Sequence, residues 1–184
     1  TDCTLCGNSP DQISGDYTDG GGNCITEVCD TDGDEILDCN DPRPNCPYDY
    51  ECSKDGTTIS VAVGQSIQLA VDTVPAGGTV DIAAGTFPIT ATIDPAGKAV
   101  IIRGVTDESG VPLTVMDGGG STRVLQCGNG EGADTIFENL VIQQGFGQDE
   151  LFINEIYGIN VTLNVAGGFL NIGSSPTLIN CTFT

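Results

Sequence analysis

Histidine and tryptophan are absent from this 184-residue chain, and Lys and Arg together number 5 against 26 Asp and Glu. Without histidine the commonest general base and the commonest zinc ligand are gone, and no Ser/His or Cys/His nucleophilic pair can be assembled. The formal charge of −21 argues against nucleic acid and anionic membrane surfaces as partners and favours cations. Aromatics are only 5% of the residues, few for a groove that stacks on sugars. No stretch approaches the roughly 20 consecutive apolar residues of a membrane-spanning helix. The start does not read as a signal peptide, so a secreted form would begin at Thr1 after cleavage.

What is abundant is acid, and it is concentrated. Asp30, Asp32, Asp34, Asp38 and Asp41 stand at relative positions one, three, five, nine and twelve of a run that contains no base. Carboxylates this close repel one another unless a hard cation collects them, and calcium takes six to eight oxygens in a flexible shell. Gly33 and Thr31 are small enough for the backbone to curl, and the carbonyl of Ile36 at position seven supplies a further oxygen. The expected metal set is therefore Asp30, Asp32, Asp34, Ile36, Asp38 and Asp41, with calcium as the cofactor; a solvated acidic loop is the bland alternative.

The cysteines are lopsided. Cys3, Cys6, Cys24, Cys29, Cys39, Cys46 and Cys52 crowd the first third, and only Cys127 and Cys181 lie beyond. Crowded cysteines among Asp, Gly and Pro, with few apolar neighbours, read as the disulfide framework of a secreted protein, its pairing left open. A zinc or iron–sulfur site on Cys3 and Cys6 lacks a matching second pair. The number is odd, so at least one thiol is free or bridges chains.

The acidic run resembles the calcium-binding type 3 repeat of thrombospondins and its bacterial relatives, Asp-x-Asp-x-Asp-Gly-x-x-Asp-x-x-Asp followed by Asn-Cys or Cys-Pro. Asp30, Asp32, Asp34, Asp38 and Asp41 match it; Cys39 and Asn45–Cys46–Pro47 fall where such repeats carry a disulfide. Glu35 departs from the pattern, standing where the repeat has glycine. Pro42, Pro44 and Cys29 leave no room for the flanking helices of an EF-hand.

Residues 1–55 thus read as a cysteine-rich, acidic, calcium-binding module, and composition changes sharply from Gly56. Ser66–Val74 has apolar spacing for one short amphipathic helix, stopped by Pro75 and Gly77–Gly78. Short β-rich runs follow, separated by Gly, Asn, Asp and Pro: Thr79–Ile82, Thr86–Ile89, Ala99–Ile102, Leu113–Met116, Thr135–Phe137, Leu140–Ile142, Asn160–Leu163 and Thr177–Phe183. Such runs suit a sandwich or a solenoid.

Pro75–Phe87, Lys98–Gly104, Met116–Gly120, Gly130–Gly145 and Ser174–Phe183 resemble successive coils of right-handed parallel β-helices of the pectin-lyase-like superfamily, the last of them the repeats of polymorphic outer-membrane proteins. The resemblance spans Gly64 to Thr184. It implies an all-β fold, a right-handed parallel β-helix over residues 56–184, with the Ser66–Val74 helix capping its first coil. Alternate residues of each strand then point inward, and Val80, Ile82, Ile101, Val115, Ile136, Val141, Leu163, Ile179 and Phe183 are the expected inward set. Cys127 and Cys181 join that stack as small hydrophobes, and Asn139 and Asn180 take the corners. Gln148–Ile159 departs from the pattern as a looped-out strand or insertion. Asn160–Val161–Thr162 and Asn180–Cys181–Thr182 fit the glycosylation acceptor pattern, an unsurprising match in a Thr-rich chain.

Polysaccharide lyases of this fold need an acidic cluster for calcium and polyuronate and an arginine or lysine for the α-proton. Beyond residue 56 the bases are Lys98, Arg103 and Arg123. Hydrolases of the fold need paired carboxylates, and Asp117, Asp134 and Glu138 are scattered. No catalytic residue is assigned. The expectation is an extracellular, calcium-stabilised structural or adhesive protein, a self-assembling filament or surface-layer subunit. The strand pattern runs to Thr184 without a polar cap, which suggests head-to-tail self-association or contact with other cell-surface components. The competing readings are a carbohydrate-active or carbohydrate-binding protein, with polysaccharide as its partner, and the N-terminal fragment of a larger adhesin.

Overall fold

A computed structural model describes residues 4–6, 24–26, 46, 50–53, 56–147, 149–154, 159–164 and 166–184. It is mostly β-sheet, with one short helix among those residues and no closed barrel. Near the start, β1 (Thr4–Cys6) and β2 (Cys24–Thr26) pair in parallel, Thr4 opposite Cys24 and Cys6 opposite Thr26. β3 (Glu51–Cys52) lies antiparallel to β4 (Thr58–Val61).

From β4 onward the chain visits parallel sheets in a repeating order. The first sheet stacks β4, β5 (Thr79–Ile82), β7 (Ile101–Arg103), β10 (Ile136–Glu138) and β15 (Thr177–Ile179). The second stacks β6 (Gly85–Pro88), β8 (Thr114–Asp117), β11 (Leu140–Gln143) and β16 (Thr182–Phe183). In the third, β9 (Leu125–Cys127) pairs with β14 (Phe169–Asn171), and Ile93 bridges to Leu125. One departure interrupts the order: β12 (Asp149–Asn154) and β13 (Ile159–Asn164) form an antiparallel hairpin between β11 and β14. It falls where the sequence expects an insertion.

The registers align like with like. Ile59, Val80, Ile102, Phe137 and Leu178 form one row across the first sheet. Phe87, Met116, Ile142 and Phe183 form one across the second. In both rows every member but the last is buried, and each such side chain contributes roughly 1.5–3 kcal/mol by leaving water. Leu178 and Phe183, the last members, remain 43% and 45% exposed, with no further strand over them among the described residues.

These rows correct part of the expected inward set. Val80 and Ile82 are buried as expected. Ile101, Val115, Ile136, Val141 and Ile179 instead lie one residue out of phase, on the outer face, while Ile102, Met116, Phe137, Leu140, Ile142 and Leu178 take the inner positions. Phe183 is inward but uncovered, and the side chain of Leu163 lies outside the described residues. A slip of one residue exchanges the faces of a whole strand, and adjacent β-branched residues suit either face, so composition does not resolve the phase. The corners do. Asn139 and Asn180 adopt left-handed backbone with φ 57° and 48°, turning the chain between Glu138 and Leu140 and between Ile179 and Cys181. Asn180 Nδ2 donates to Asn139 Oδ1 at 2.9 Å, tying consecutive corners together.

The helix α1 (Ile67–Thr73) forms where the apolar spacing places it. The Ser66 side chain accepts from the Leu69 amide at 3.2 Å as N-cap, and Pro75 prevents continuation past Val74. Ile67, Ala70 and Val71 bury their side chains against β4 and β5. Lys98 Nζ donates to the carbonyls of Val71, Asp72 and Val74 at 2.7, 2.8 and 2.9 Å. These are carbonyls at the C-terminal end of the helix, where no following turn supplies donors and a cation meets the negative pole of the dipole.

Candidate functional site

The expected calcium residues Asp30, Asp32, Asp34, Ile36, Asp38 and Asp41 lie outside the described residues, as do Cys3, Cys29 and Cys39. Cys6 ends β1 and Cys24 begins β2. Cys46 and Cys52 form a disulfide with Cα atoms 5.9 Å apart. Tyr50, between them, is buried in the same apolar cluster as Ile59 and Ile67, and its hydroxyl donates to the Ser66 carbonyl at 2.7 Å. The disulfide loop is therefore fastened to the start of α1. Cys127 and Cys181 are free thiols, the first fully buried and the second packed against the core, as expected. Burial first, then the charges of Glu131 and Asp94, push the Cys127 thiol up to about 12, which keeps it protonated and unreactive.

Outward-facing residues on the first sheet also align. Glu51, Ser60, Asp81, Arg103, Glu138 and Ile179 form one row across the strands. The row thus carries three carboxylates and one guanidinium, on strands spaced about 4.8 Å apart, with Ser60 between Glu51 and Asp81. Arg103 donates from Nε to Asp81 Oδ1 at 2.8 Å and from Nη2 to Asp81 Oδ2 at 3.2 Å. The hydrogen bond to Asp81 raises the Arg103 pKa, burial opposes it, and the charges of Asp81 and Glu138 add to the rise. Below this row a hollow of about 420 Å³ is lined by Glu51, Ser60, Asp81, Ala83 and Val105 among others. Such a surface attracts cations and basic groups. Its guanidinium is engaged by the Asp81 carboxylate.

The other bases of this region are equally engaged. Lys98 is spent on the helix carbonyls. Arg123 is 3% exposed, donating to the Ala166 carbonyl at 3.1 Å and to Gln126 Oε1 at 3.0 Å. Among the acids, Asp117 accepts from Gln143 Nε2 on the neighbouring strand at 2.9 Å and from the Gly119 amide at 2.8 Å, which are turn and ladder contacts. Asp134 is exposed in a turn. Among the described residues no group of three or more His, Cys, Asp or Glu gathers as metal ligands. Nor is any described helix long and apolar enough to cross a membrane.

One acid escapes the sequence reading altogether. Glu131 is 2% exposed. Its Oε1 accepts from the Gly97 amide at 2.8 Å; its Oε2 accepts from the Asn129 amide at 2.9 Å and the Ser174 hydroxyl at 2.6 Å. Burial alone would push this carboxyl up. The hydrogen bonds from Ser174 and from the backbone amides of Glu131, Gly97 and Asn129 outweigh it and hold the pKa below 4.5. Gly130 and Gly132 on either side were the available signal: an acid between glycines belongs to a turn whose amides are free to face it.

Scans against protein-family models, against curated proteins and against solved structures each returned no match.

Proposed function

We propose that this chain is a secreted structural or adhesive protein without catalytic activity, stiffened by calcium and disulfides and given to self-association. Residues 56–184 are a right-handed parallel β-helix capped by α1. Residues 1–55 are the calcium-binding, disulfide-linked module. Strands revisiting their sheets in one repeated order support the helical winding, and crossover connections between parallel strands are right-handed in about 98% of cases.

One observation carries the non-catalytic reading. Lys98, Arg103 and Arg123, the bases beyond residue 56, are all held by scaffold contacts: helix carbonyls, a carboxylate one strand away, and a buried carbonyl with a neighbouring amide. A lyase keeps such a group free to reach its substrate. An interior filled by stacked side chains, with charges reserved for fastening turns and strands, is what a stiff spacer requires. The acidic run at Asp30–Asp41 adds a site for calcium, and a medium rich in that ion would screen the self-repulsion of −21 charges.

The test is calorimetry and negative-stain microscopy of the purified chain with calcium and after chelation. Saturable calcium binding that is lost in the Asp32→Asn, Asp34→Asn double variant, a lower melting temperature on chelation, and particles larger than a monomer are expected. An unchanged melt without bound calcium overturns the calcium element. Turnover of a polyuronate, lost on Arg103→Gln, overturns the non-catalytic one.

A further inference from the structure

Asparagine followed by glycine occurs once in this chain, at Asn129–Gly130, and Gly128 precedes the pair. Glycine has no Cβ, so its amide nitrogen is unobstructed and the backbone around it turns freely. In a loose chain the Gly130 nitrogen therefore reaches the side-chain carbonyl carbon of Asn129. Gly128, Asn129 and Gly130 are all exposed, which gives water access to the pair.

The fold pins this pair at two successive amides. The Asn129 amide donates to Glu131 Oε2 at 2.9 Å, and the Gly130 amide donates to Ser174 Oγ at 3.1 Å. That hydroxyl also accepts from the Glu131 amide at 3.2 Å and donates to Glu131 Oε2 at 2.6 Å. The Glu131 carbonyl accepts from the Ser175 amide at 2.7 Å. Gly97, whose amide donates to Glu131 Oε1 at 2.8 Å, backs the turn closely: a Cβ there would lie 3.1 Å from the Asn129 carbonyl oxygen. With both amides held, the torsion between them cannot swing the Gly130 nitrogen onto Asn129 Cγ. The proton that this nitrogen must give up is engaged as well.

We infer that Asn129–Gly130 is a site of spontaneous succinimide formation, held shut in the folded chain by the Glu131–Ser174 contacts. When those contacts open, the Gly130 nitrogen bonds to Asn129 Cγ and the Cγ–Nδ2 bond breaks. Nδ2 leaves as ammonia, carrying the proton from the Gly130 amide. Water then opens the ring at one of its two carbonyls and leaves aspartate or isoaspartate. Nothing is oxidised or reduced, and water is the one co-reactant. Isoaspartate adds a carbon to the main chain between residues 129 and 130, so the two amides no longer meet Glu131 and Ser174 together. Either product also brings a second carboxylate beside Glu131. A transient opening is thereby converted into a lasting one, and the modified fraction records how often this corner has opened.

The test incubates the 184-residue chain, folded and unfolded in guanidinium, in mildly alkaline buffer. Peptide mass mapping follows the exchange of NH2 for OH at residue 129, and fragmentation separates aspartate from isoaspartate. Reaction through an open state is slowed by the opening equilibrium, so modification should be roughly tenfold slower or more in the folded chain. Ser174→Ala leaves the Gly130 and Glu131 amides without that acceptor and should speed the folded-state reaction roughly tenfold. Ser175→Ala, at an exposed neighbour that touches Glu131 through its main-chain amide, leaves the rate unchanged. Circular dichroism checks that each variant keeps the fold. If Ser174→Ala unfolds, the folded-to-unfolded ratio of the wild type decides. Equal rates in the two states, or a folded Ser174→Ala chain no faster than wild type, overturn the protecting contacts. An unfolded chain that stays unmodified at Asn129 overturns the site, and an isoaspartyl chain that melts like the unmodified one overturns the lasting opening.

Discussion

Glu131→Gln removes one charge and no volume from a site that touches three separated parts of the chain. In the wild type both carboxylate oxygens accept, Oε1 from the Gly97 amide and Oε2 from the Asn129 amide and the Ser174 hydroxyl. A glutamine has one accepting oxygen. Whichever way it is turned, its amide nitrogen faces at least one N–H, so a hydrogen bond to a charged group is lost, at about 1.5–3 kcal/mol, and a buried donor is left unmet, at about 1–3 kcal/mol. The serine hydroxyl can rotate to accept, which recovers part of this. The net expectation is about 3 kcal/mol, a large share of the roughly 5–15 kcal/mol by which a domain is stable, read by urea denaturation at pH 7.

The pH dependence gives that variant a second readout. The folded pKa of Glu131 is held below its ordinary 4.5. Its contribution is therefore fully present above the unfolded pKa and is lost as pH falls through the folded value. The stability gap between wild type and Glu131→Gln removes what the two proteins share and reports on this group. It should be widest at neutral pH and close as the solution is acidified below 4.5. A gap under about 0.5 kcal/mol at pH 7, within the range of an ordinary surface change, or one that does not narrow in acid, refutes the clamp.

Other residues make comparable commitments. Lys98→Met keeps the aliphatic stem but frees the carbonyls of Val71, Asp72 and Val74; a loss of about 1–3 kcal/mol is expected, with faster amide exchange in α1 as the local signature. Gly104→Ala would set a methyl group against the Asn139 carbonyl and the Thr114 side chain at the corner between the first and second sheets; the overlap involves backbone, so thermal denaturation should show a loss of about 1–3 kcal/mol or more. Phe137→Ala empties a fully buried position between Ile102 and Leu178; about 3–5 kcal/mol is expected from denaturation, towards the lower end because half-exposed Leu178 can settle inward. Cys127, with its thiol raised to about 12, should resist alkylation at pH 8 until the chain is unfolded, which thiol counting by mass spectrometry checks.

The parts of the fold legible in the sequence are those governed by neighbours in sequence. Ser66 before an apolar 3.6-residue spacing and Pro75 after it suffice to define α1, because a capping oxygen and a missing amide act within one turn. Asn139 and Asn180 stand out as corners because asparagine tolerates the left-handed backbone that a tight turn between strands demands. β9 and β14 escape notice, being three residues each and carrying polar Gln126 and Asn171. The inner face escapes for a different reason. Ile101 and Ile102, or Val141 and Ile142, are nearly equivalent in volume and β propensity, and only the corner geometry decides which is covered. The candidate sites divide in the same way. An aspartate run at metal-ligand spacing is a local signal and can be read directly, whereas the Glu131 clamp joins groups 34 and 43 residues distant along the chain, so no window of sequence contains it.

The last rung shows how far this non-locality reaches. Leu178 and Phe183 are chemically the same kind of residue as Phe137 and Ile142, which precede them in their rows, yet the earlier pair is at most 1% exposed and the later pair is nearly half exposed. Nothing in the residues themselves distinguishes covered from uncovered positions. The difference is whether another rung lies above, and in a stacked fold that is a property of position in the pile.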